Sequence, residues 1–402
     1  MADKSTARDF VNPYKAGAPL TANDHGVFFG RSKLLKTLLR SIKAKSTEFS
    51  SVFGLRRCGK SSIIYKLMDK IDGEIPYAFI DCLALDDREL TIEGFTKLVC
   101  SELCRTINNP PPKCSPKTLD DFFDNHLPVL LKGCKQTPVL FMDEIEALDR
   151  KRPADIDEDV WLTPRDFYSF ITDRRSCFTV VIFFGTPFER LSQGFQGILK
   201  NSLKQSVLLL EDKVARDLIT EPLKDVLEYE EDAITALIRA SGNHPLLLQS
   251  LLKKLVDRYL DNKISSSSIT ASDVGVACNN NSELELALLW IVKGFELSQG
   301  ILLFAIANAC KDNLGASVKE IESHLKKIQE PVGGSYDFIL WEQTASKLVE
   351  FGYLELSDSS RYTIKQGVVA AFFRDNTLQE LMKKCFNEAT DEDLDEAREL
   401  SN

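Results

Sequence analysis

A glycine-rich segment in the N-terminal part of the chain has the residue types needed to bind phosphate groups. Its sequence is Gly54-Leu55-Arg56-Arg57-Cys58-Gly59-Lys60-Ser61. Every fixed position of the pattern G-x-x-x-x-G-K-[ST] is met, so backbone N–H groups can surround phosphates without a side chain in the way. Lys60 would place positive charge on the β- and γ-phosphates, and the hydroxyl of Ser61 would reach Mg²⁺. We therefore predict a nucleotide site that extends from Gly54 to Ser62.

Two adjacent carboxylates follow an apolar run and would supply the rest of this chemistry. Residues 139–142 are apolar throughout, and Asp143 and Glu144 come directly after them. The run predicts a buried strand that delivers both acids to the carboxyl edge of a sheet, where open α/β sheets bind ligands. Asp143 would then hold Mg²⁺, and Glu144 would orient the attacking water. The alternative is a strand that ends in a solvated acidic turn, and the upstream loop favours the catalytic interpretation.

Short apolar runs alternate with helical spacing in the first half of the chain, and these elements must position the loop and the acids. The runs predict strands at 49–53, 77–83, 139–142, 178–184 and 206–210. Apolar residues recur at helical spacing over 61–71, 91–107, 118–131 and 165–172. This alternation predicts an α/β fold, a P-loop NTPase with a parallel sheet sandwiched by helices.

The pattern changes after about residue 211, where helical spacing dominates. Residues 212–260 read as helical throughout, and the polar stretch 263–272 reads as a linker. Residues 284–376 follow the order helix, helix, helix, hairpin, which is the order of a winged-helix domain. Residues 386–402 are acidic and nearly lack large apolar groups, which predicts a frayed tail.

Composition and charge exclude several classes of protein. The chain has 402 residues, of which 44% are hydrophobic and 27% charged, as in ordinary globular proteins. Its net charge of −10 argues against non-specific coating of nucleic acid or anionic membrane, because phosphate binding needs a positive surface. No apolar stretch approaches the ~18 residues of a membrane span, and the start lacks a signal-peptide run. The ten cysteines form no Cys-x-x-Cys pair, so we expect reduced thiols in a cytoplasmic protein.

Several segments resemble those of the AAA+-like STAND ATPases, the signal-transduction class of P-loop NTPases, and above all its short prokaryotic-type members. The resemblance covers most of residues 11–376. Asn12-Pro13-Tyr14 and Phe28-Phe29-Gly30-Arg31 look like the family's N-terminal segment. Residues 208–223 resemble the start of its helical lid, and residues 241–249 resemble its Gly-x-Pro signature.

The resemblance implies roles for residues outside the loop. Phe28, Phe29 and Arg31 correspond to the segment that lies against the adenine. His244 and Pro245 correspond to the signature that senses the bound nucleotide from the lid. The implied units are an N-terminal arm (1–30), a P-loop ATPase core (31–211), a helical lid (212–275), a winged-helix domain (276–376) and an acidic tail (377–402).

The sequence departs from the family pattern at three places. A strict Gly-x-Pro needs glycine at 243, where this chain has Asn243, and Gly242 is the candidate turn glycine. The polar sensor expected after strand 178–184 would be Thr186. No arginine lies between residues 193 and 205, where an arginine finger is expected, and the remaining candidates are Arg190, Arg174 and Arg175.

The family implies a function as a nucleotide-controlled switch. ATP with Mg²⁺ would bridge core and lid and fix the angle between them. Slow hydrolysis of ATP, or its exchange for ADP, would allow that angle to change. Its partners would be further copies of the same chain in the ATP state or a separately encoded effector protein. Two other interpretations are a ring motor acting on a polymer and a binding module that keeps ATP as a structural element.

A DNA-binding ATPase resembling the replication initiators is the principal alternative, because those proteins share the order of P-loop, lid and winged helix. A DNA-reading helix should carry clustered Lys or Arg. The third helix of the predicted winged helix, 338–351, instead carries Lys347 against Glu342 and Glu350. We therefore expect this helix to pack on the core or on a partner.

Overall fold

The structure of the protein is a computed structural model. It describes residues 10–44, 49–107, 116–149, 152–153, 156–158, 160–173, 178–185, 191–264, 266–279, 281–310, 315–332 and 338–385. Among these residues, none of the helices combines the length and the apolar character needed to cross a membrane. Residues 386–402, the greater part of the predicted acidic tail, lie outside the described ranges.

A five-stranded parallel sheet forms the centre of the N-terminal half of the chain. Its strands are β1 (Phe49–Gly54), β2 (Tyr77–Asp81), β3 (Val139–Asp143), β4 (Thr179–Phe184) and β5 (Leu203–Val207). They lie in the order β2-β3-β4-β1-β5, and every neighbouring pair is parallel. The predicted α/β fold with a parallel sheet is therefore confirmed, and the carboxyl ends of all its strands share one edge.

Each face of the sheet has its own apolar core. Val139 and Phe141 of β3 pack into one core, whereas Leu140 and Met142 pack into the other. All residues of β3 and β4 are buried. A strand buried on both faces needs apolar residues at every position, which explains why these strands read as continuous apolar runs.

Helices cover both faces of the sheet. They are α1 (Ser32–Lys43), α2 (Lys60–Ile71), α3 (Ile92–Ile107), α4 (Leu119–Asp121), α5 (Leu127–Leu130), α6 (Pro164–Thr172) and α7 (Gln193–Lys200). A π-helical segment, Phe122–His126, joins α4 to α5 within the helix that was predicted at 118–131. The hydroxyl of Thr118 caps this helix by accepting a hydrogen bond of 3.1 Å from the N–H of Asp121. Among the described residues of this half, two 3₁₀ turns add to these helices, His25–Val27 before α1 and Ile145–Leu148 after β3.

The remainder of the chain is mainly helical. Its helices are α8 (Asp212–Thr220), α9 (Glu231–Ser241), α10 (Pro245–Leu260), α11 (Ala271–Cys278), α12 (Ser282–Val292), α13 (Leu297–Ala309), α14 (Val318–Val332), α15 (Phe338–Glu350), α16 (Gly367–Asp375) and α17 (Leu378–Cys385). Two short strands, β6 (Glu228–Tyr229) and β7 (Ser268–Ile269), pair in parallel. A three-stranded antiparallel sheet is formed by β8 (Ala316–Ser317), β10 (Arg361–Ile364) and β9 (Leu354–Leu356), in that order. From α13 to β10 the order of elements is helix, strand, helix, helix, hairpin.

Two details of the predicted elements are wrong. Strand β5 occupies Leu203–Val207, not 206–210, and β6 interrupts the stretch 212–260 that was predicted to be wholly helical. Most residues of β5 are exposed, because it lies at the edge of the sheet and is held by its hydrogen bonds with β1. Its place therefore depends on strand pairing, which an apolar pattern does not reveal.

The C-terminal elements pack directly on the sheet and on α9. The rings of Phe351 and Phe53 lie 5.7 Å apart, which joins the end of α15 to β1. A Cβ atom on Gly242, at the end of α9, would lie 2.9 Å from the carbonyl carbon of Lys365. The two halves of the chain therefore share one continuous apolar core.

Replacing Gly242 with alanine is expected to destabilise the protein by about 1–3 kcal/mol. Gly242 has φ +53°, a left-handed conformation that strains alanine, and the added methyl group would meet the backbone of Lys365. Urea unfolding at neutral pH measures the effect.

Gly275 offers a matched control. It lies in α11, and a Cβ atom there would meet nothing within 4 Å. Gly275→Ala is therefore expected to be neutral or stabilising by up to about 1 kcal/mol, since alanine favours a helix over glycine. Equal stability of the Gly242→Ala variant and the parent protein would contradict the close contact between α9 and the hairpin.

Candidate functional site

The glycine-rich loop leaves the carboxyl end of β1 and enters α2. Gly54 is the last residue of β1, and a Cβ atom on it would lie 2.9 Å from the Cβ of Val207 in β5. Gly59 has φ +92° and comes directly before α2, with nothing within 4 Å of an added Cβ atom. The loop thus reverses at glycine and presents the positive N-terminal end of α2 to an open space. This is the geometry that phosphate binding needs.

Lys60 lies at the centre of the loop and points back along it. It is only 4% exposed. Its ammonium donates to the carbonyl oxygen of Gly54 at 3.1 Å and to that of Leu55 at 3.4 Å. The ammonium also lies 3.7 Å from a carboxylate oxygen of Glu144. A buried charge of this kind needs partners, and the loop carbonyls and Glu144 supply them.

The structure brings Ser61 and Asp143 together, as the sequence predicted. The Ser61 hydroxyl donates to Oδ2 of Asp143 at 2.6 Å. Burial raises the pKa of Asp143 to about 6, and the hydrogen bond from Ser61 opposes that shift. A hydroxyl and a carboxylate at this distance form a pair of hard oxygen donors, which suits Mg²⁺.

Glu144 and Glu146 bring two further carboxylates to the same edge of the sheet. Glu144 has φ +49°, so the chain turns sharply after β3. Glu146, in the following 3₁₀ turn, accepts a 2.7 Å hydrogen bond from the N–H of Gly185 at the end of β4. Burial raises the pKa of Glu146, and the charge of Glu144 raises it further. Sequence reasoning missed Glu146, although its spacing of two from Glu144 was an available signal.

The N-terminal arm closes over the loop. The hydroxyl of Ser62 accepts a 2.9 Å hydrogen bond from the N–H of Leu20. The guanidinium of Arg57 donates to the carbonyl oxygen of Gly17 at 2.9 Å. Ser62 and Arg57, which were predicted to bind nucleotide, therefore bind the arm in this structure.

Arg31 joins the start of α1 to the end of the sheet. Its guanidinium donates to the carbonyl oxygen of Leu208 at 2.5 Å and to that of Cys58 at 3.5 Å. Burial lowers its pKa from the ordinary value for arginine. Arg31 thus holds the loop against the segment that follows β5, and it also lines the cavity described below.

The turn between α9 and α10 packs behind the loop. Asn243, which stands where the family has glycine, has φ +62° and donates to Asp212 at 2.5 Å. Gly242 and Asn243 are thus both left-handed, and asparagine tolerates that conformation better than most residues. His244 is fully buried, with Nε2 3.7 Å from the sulfur of Cys58. Pro245 begins α10.

Residues near the end of α12 contact the loop arginines, and no sequence motif pointed to them. The guanidinium of Arg57 stacks on the ring of Trp290 at 4.1 Å from its centroid. A Cβ atom on Gly294 would lie 2.9 Å from Cδ of Arg56. Both arginines therefore rest on the C-terminal half of the chain, with favourable cation–π attraction at Trp290.

A cavity of about 860 Å³ lies in front of the loop. Four parts of the chain line it: the arm (including Lys15, Phe28 and Phe29), the loop and acids (Arg56 to Ser62, Asp143, Glu144 and Glu146), the turn and helices after the sheet (Leu210, Leu218, Pro245, Leu246 and Gln249) and α12 with its end (Trp290 and Lys293). This volume is in the range of small-molecule sites, ~300–1,000 Å³. Of the predicted nucleotide-binding residues, Gly54, Leu55 and His244 lie outside this lining.

Four predicted residues lie outside the described ranges. They are the candidate sensor Thr186 and the candidate arginine fingers Arg174, Arg175 and Arg190. Their roles remain predictions.

The contribution of His244 to the stability of the protein is expected to fall as the pH drops from 6.5 to 4, whereas Asp143, with its raised pKa, contributes in the opposite direction. Burial lowers the pKa of His244 from 6.5 to about 4. The unfolded chain therefore takes up this proton first, so the contribution is fully present above pH 6.5 and is lost as the pH falls through 4. The loss is at most roughly 3 kcal/mol in the free energy of unfolding. Urea unfolding at several pH values measures it.

Two histidine variants separate this effect from general acid denaturation. Compared with the parent protein, His244→Gln should lose less stability between pH 6.5 and 4, whereas His324→Gln, in helix α14, serves as the control for the loss of a histidine. If the free energy of unfolding changes with pH in the same way in His244→Gln and in the parent, His244 does not contribute to this pH dependence.

Comparison with known proteins places this site in a family context. A protein-family model described as an AAA domain matches residues 30–193. These residues contain the glycine-rich loop, Asp143, Glu144 and Glu146. A search of curated protein sequences finds no match to the chain. The match to the AAA domain thus covers the loop and the acids, and it does not extend over the second half of the chain.

Two solved structures share the fold over nearly the whole chain. A Walker-type ATPase of Pyrococcus abyssi is 15% identical, with 90% of this chain and 99% of that chain covered and a TM-score of 0.58. The ORC2 protein of Aeropyrum pernix, solved as ADPNP–ADP complexes, is 10% identical. The match covers 94% of this chain and 97% of that chain, with a TM-score of 0.61. At these identities the likeness concerns the fold alone.

Proposed function

We propose that the protein is an ATP-binding switch of the STAND type that hydrolyses ATP slowly and changes its conformation or partners with the nucleotide state. One observation carries this proposal. A single cavity is lined by the arm, the loop with its acids, the elements after the sheet, and α12. A ligand in that cavity would contact all four of these parts, so its binding and release could change how they pack on one another.

Residues of the loop and of β3 would hold the nucleotide. Lys60 would exchange its bonds to the loop carbonyls for bonds to phosphate oxygens, and the N-terminal end of α2 would add its positive charge. Ser61 and Asp143, already 2.6 Å apart, would hold Mg²⁺. Bound Mg²⁺ would neutralise phosphate charge and fix the orientation of the phosphates. Glu144, beside Lys60, would orient the attacking water.

The apolar residues of the cavity lining would hold the adenine. Phe28 and Phe29 of the arm line the cavity together with Leu218, Pro245 and Leu246. Apolar side chains of this kind suit the faces of a purine ring. Gln249 fastens the arm to α10, because its amide donates to the carbonyl oxygen of Val27 at 3.2 Å.

The contacts of Arg56 and Arg57 explain how the nucleotide state would reach the C-terminal half. Both side chains belong to the loop that would surround the phosphates, and both rest on residues at the end of α12. A shift of the loop on nucleotide exchange would therefore move or release α12. We assign residues 212–275 to a lid and residues 276–376 to a winged-helix domain. The winged-helix domain would bind a second copy of the chain or an effector protein according to the nucleotide state.

A DNA-binding initiator-like ATPase is the second candidate, and the fold shared with an ORC2 protein is compatible with it. The surface of α15 argues against it. Trp341, Ala345 and Leu348 are buried, and Glu342 and Glu350 lie on the exposed side. On the hairpin, Arg361 is paired with Glu320 at 2.9 Å. A nucleic-acid interface needs unpaired positive charge, and these elements offer little of it.

The mass of the purified chain in solution tests the switch. It is measured with ADP and then with Mg²⁺ and a slowly hydrolysed ATP analogue, alongside hydrogen exchange over residues 284–296. We expect a discrete oligomer and faster exchange at the end of α12 only with the ATP analogue. A monomer with unchanged exchange in both states would contradict the switch and favour ATP as a structural ligand.

A further inference from the structure

Glu146 occupies a position that the roles assigned so far do not explain. It lies in the 3₁₀ turn after β3, lines the cavity, and accepts the 2.7 Å hydrogen bond from the N–H of Gly185. Gly185 directly follows the last residue of β4. Glu146 therefore ties the turn after one central strand to the carboxyl end of its neighbour.

The same carboxylate lies near the ammonium of Lys60, although the ion pair of Lys60 is with Glu144. A Cβ atom added to Gly185 would be 3.0 Å from Nζ of Lys60 and 3.3 Å from Oε1 of Glu146. Both groups therefore flank one point at the end of β4, which only glycine leaves open. Their opposite charges attract each other, and in a largely buried site this attraction is weakly screened.

Three acidic side chains lie at the same edge of the sheet as Lys60. Asp143, Glu144 and Glu146 all line the cavity with it. Phosphates that bind beside Lys60 must compete with Glu144 and Glu146 for its ammonium. They also meet the repulsion of those carboxylates.

We propose that Glu146 is a positioning residue. While phosphates are absent, its carboxylate and that of Glu144 both attract the ammonium of Lys60. When phosphates bind, a shift of Glu146 moves the end of β4 through the hydrogen bond to Gly185. This inference rests on the proposed nucleotide site. When Lys60 turns to the phosphates, the attraction between its ammonium and Glu146 weakens, while the hydrogen bond from the N–H of Gly185 to Glu146 remains. The geometry of this hydrogen bond is then expected to change with nucleotide occupancy.

Three variants separate the charge of Glu146 from its structural role. Glu146→Gln keeps an oxygen for the N–H of Gly185 but loses the charge near Lys60. Glu146→Ala loses both. Glu102→Gln is the matched control, since Glu102 forms an ion pair with Arg105 on the surface of α3.

Two measurements are made on each full-length variant. The first is the dissociation constant of fluorescently labelled ADP, with excess chelator and then with Mg²⁺. The second is hydrogen exchange over residues 178–185 with and without ADP. We expect Glu146→Gln to bind ADP about three- to tenfold more tightly than the parent without Mg²⁺, because one competing charge is gone. In Glu146→Ala, the ADP-dependent change of exchange at the end of β4 should disappear, and Glu102→Gln should behave as the parent.

The outcomes distinguish this inference from the proposed function. If the parent binds Mg²⁺–ADP but Glu146→Gln has the parent's affinity without Mg²⁺, then Glu146 only accepts a hydrogen bond and the inference is wrong. It is also wrong if Glu146→Ala keeps the full ADP-dependent change in exchange. If the parent and Glu102→Gln both fail to bind ADP with and without Mg²⁺, the proposed function itself fails, and the inference fails with it.

Discussion

Lys60→Ala is expected to weaken the binding of Mg²⁺–ATP and of ADP by about 100-fold or more. The structure gives two reasons. Lys60 carries the buried ammonium in the loop, and it lies between the loop carbonyls and Glu144. Without it, phosphates would meet three carboxylates, and the loop arginines Arg56 and Arg57 rest on residues at the end of α12 instead of pointing at the end of β1. Isothermal titration with ADP and with a slowly hydrolysed ATP analogue measures the loss.

Lys70→Ala is the matched control for this prediction. Lys70 lies in the last turn of α2, on the same helix but at its far end, and is exposed. Its removal should leave both affinities within about twofold of the parent, because an exposed charge that far from the loop is screened by salt. Parental affinity in Lys60→Ala would show that the glycine-rich loop does not bind the phosphates.

Glu144→Gln is expected to lower ATP hydrolysis by about 100-fold or more while ATP still binds. Glutamine has nearly the size of glutamate, so the turn after β3 and the contact near Lys60 can be kept. It lacks the negative charge that orients and polarises the attacking water. Single-turnover release of phosphate, measured together with the affinity for ATP, separates the chemical step from binding.

The outcome for Glu144→Gln also distinguishes the interpretations of the whole protein. A switch that resets by hydrolysis should remain in the ATP state, seen as a persistent oligomer after ATP is added. Glu102→Gln, which changes a surface glutamate in the same way, should hydrolyse ATP as the parent does. If the parent and Glu144→Gln release phosphate at the same slow rate, ATP is a structural ligand and Glu144 is an acid in a solvated turn.

The glycine-rich loop contacts the C-terminal half of the chain, and these contacts would link the nucleotide to the rest of the protein. Arg57 stacks on Trp290, and the buried His244 lies between Cys58 of the loop and Tyr353, whose ring centroid is 6.5 Å away. Burial raises the pKa of Cys58 to about 11, so its thiol stays neutral beside a neutral imidazole. This part of the interface is apolar and tightly packed, whereas the arginine contacts lie at the edge of the cavity. Nucleotide exchange would therefore act first at the arginines.

The sequence alone was sufficient to find the loop, the acid pair and the sheet. Gly54 to Ser61 is a contiguous pattern whose chemistry depends on neighbouring residues, and a strand before it and a helix after it are also local signals. The apolar run that ends at Asp143 identifies a strand buried on both faces for the same reason. The edge strand β5 was misplaced, since its exposed residues are held by hydrogen bonds with β1 rather than by burial.

Tertiary structure alone decided which residues meet across the cavity. Glu146 reaches Gly185, and Trp290 reaches Arg57, through contacts between residues that lie far apart in the chain. No pattern of neighbouring residues encodes such pairs, because they depend on the order of strands in the sheet and on the angle at which later helices pack. The sequence therefore determined the residue types of the proposed phosphate site, whereas the packing of α12 and of the turn after β3 decided which side chains surround it.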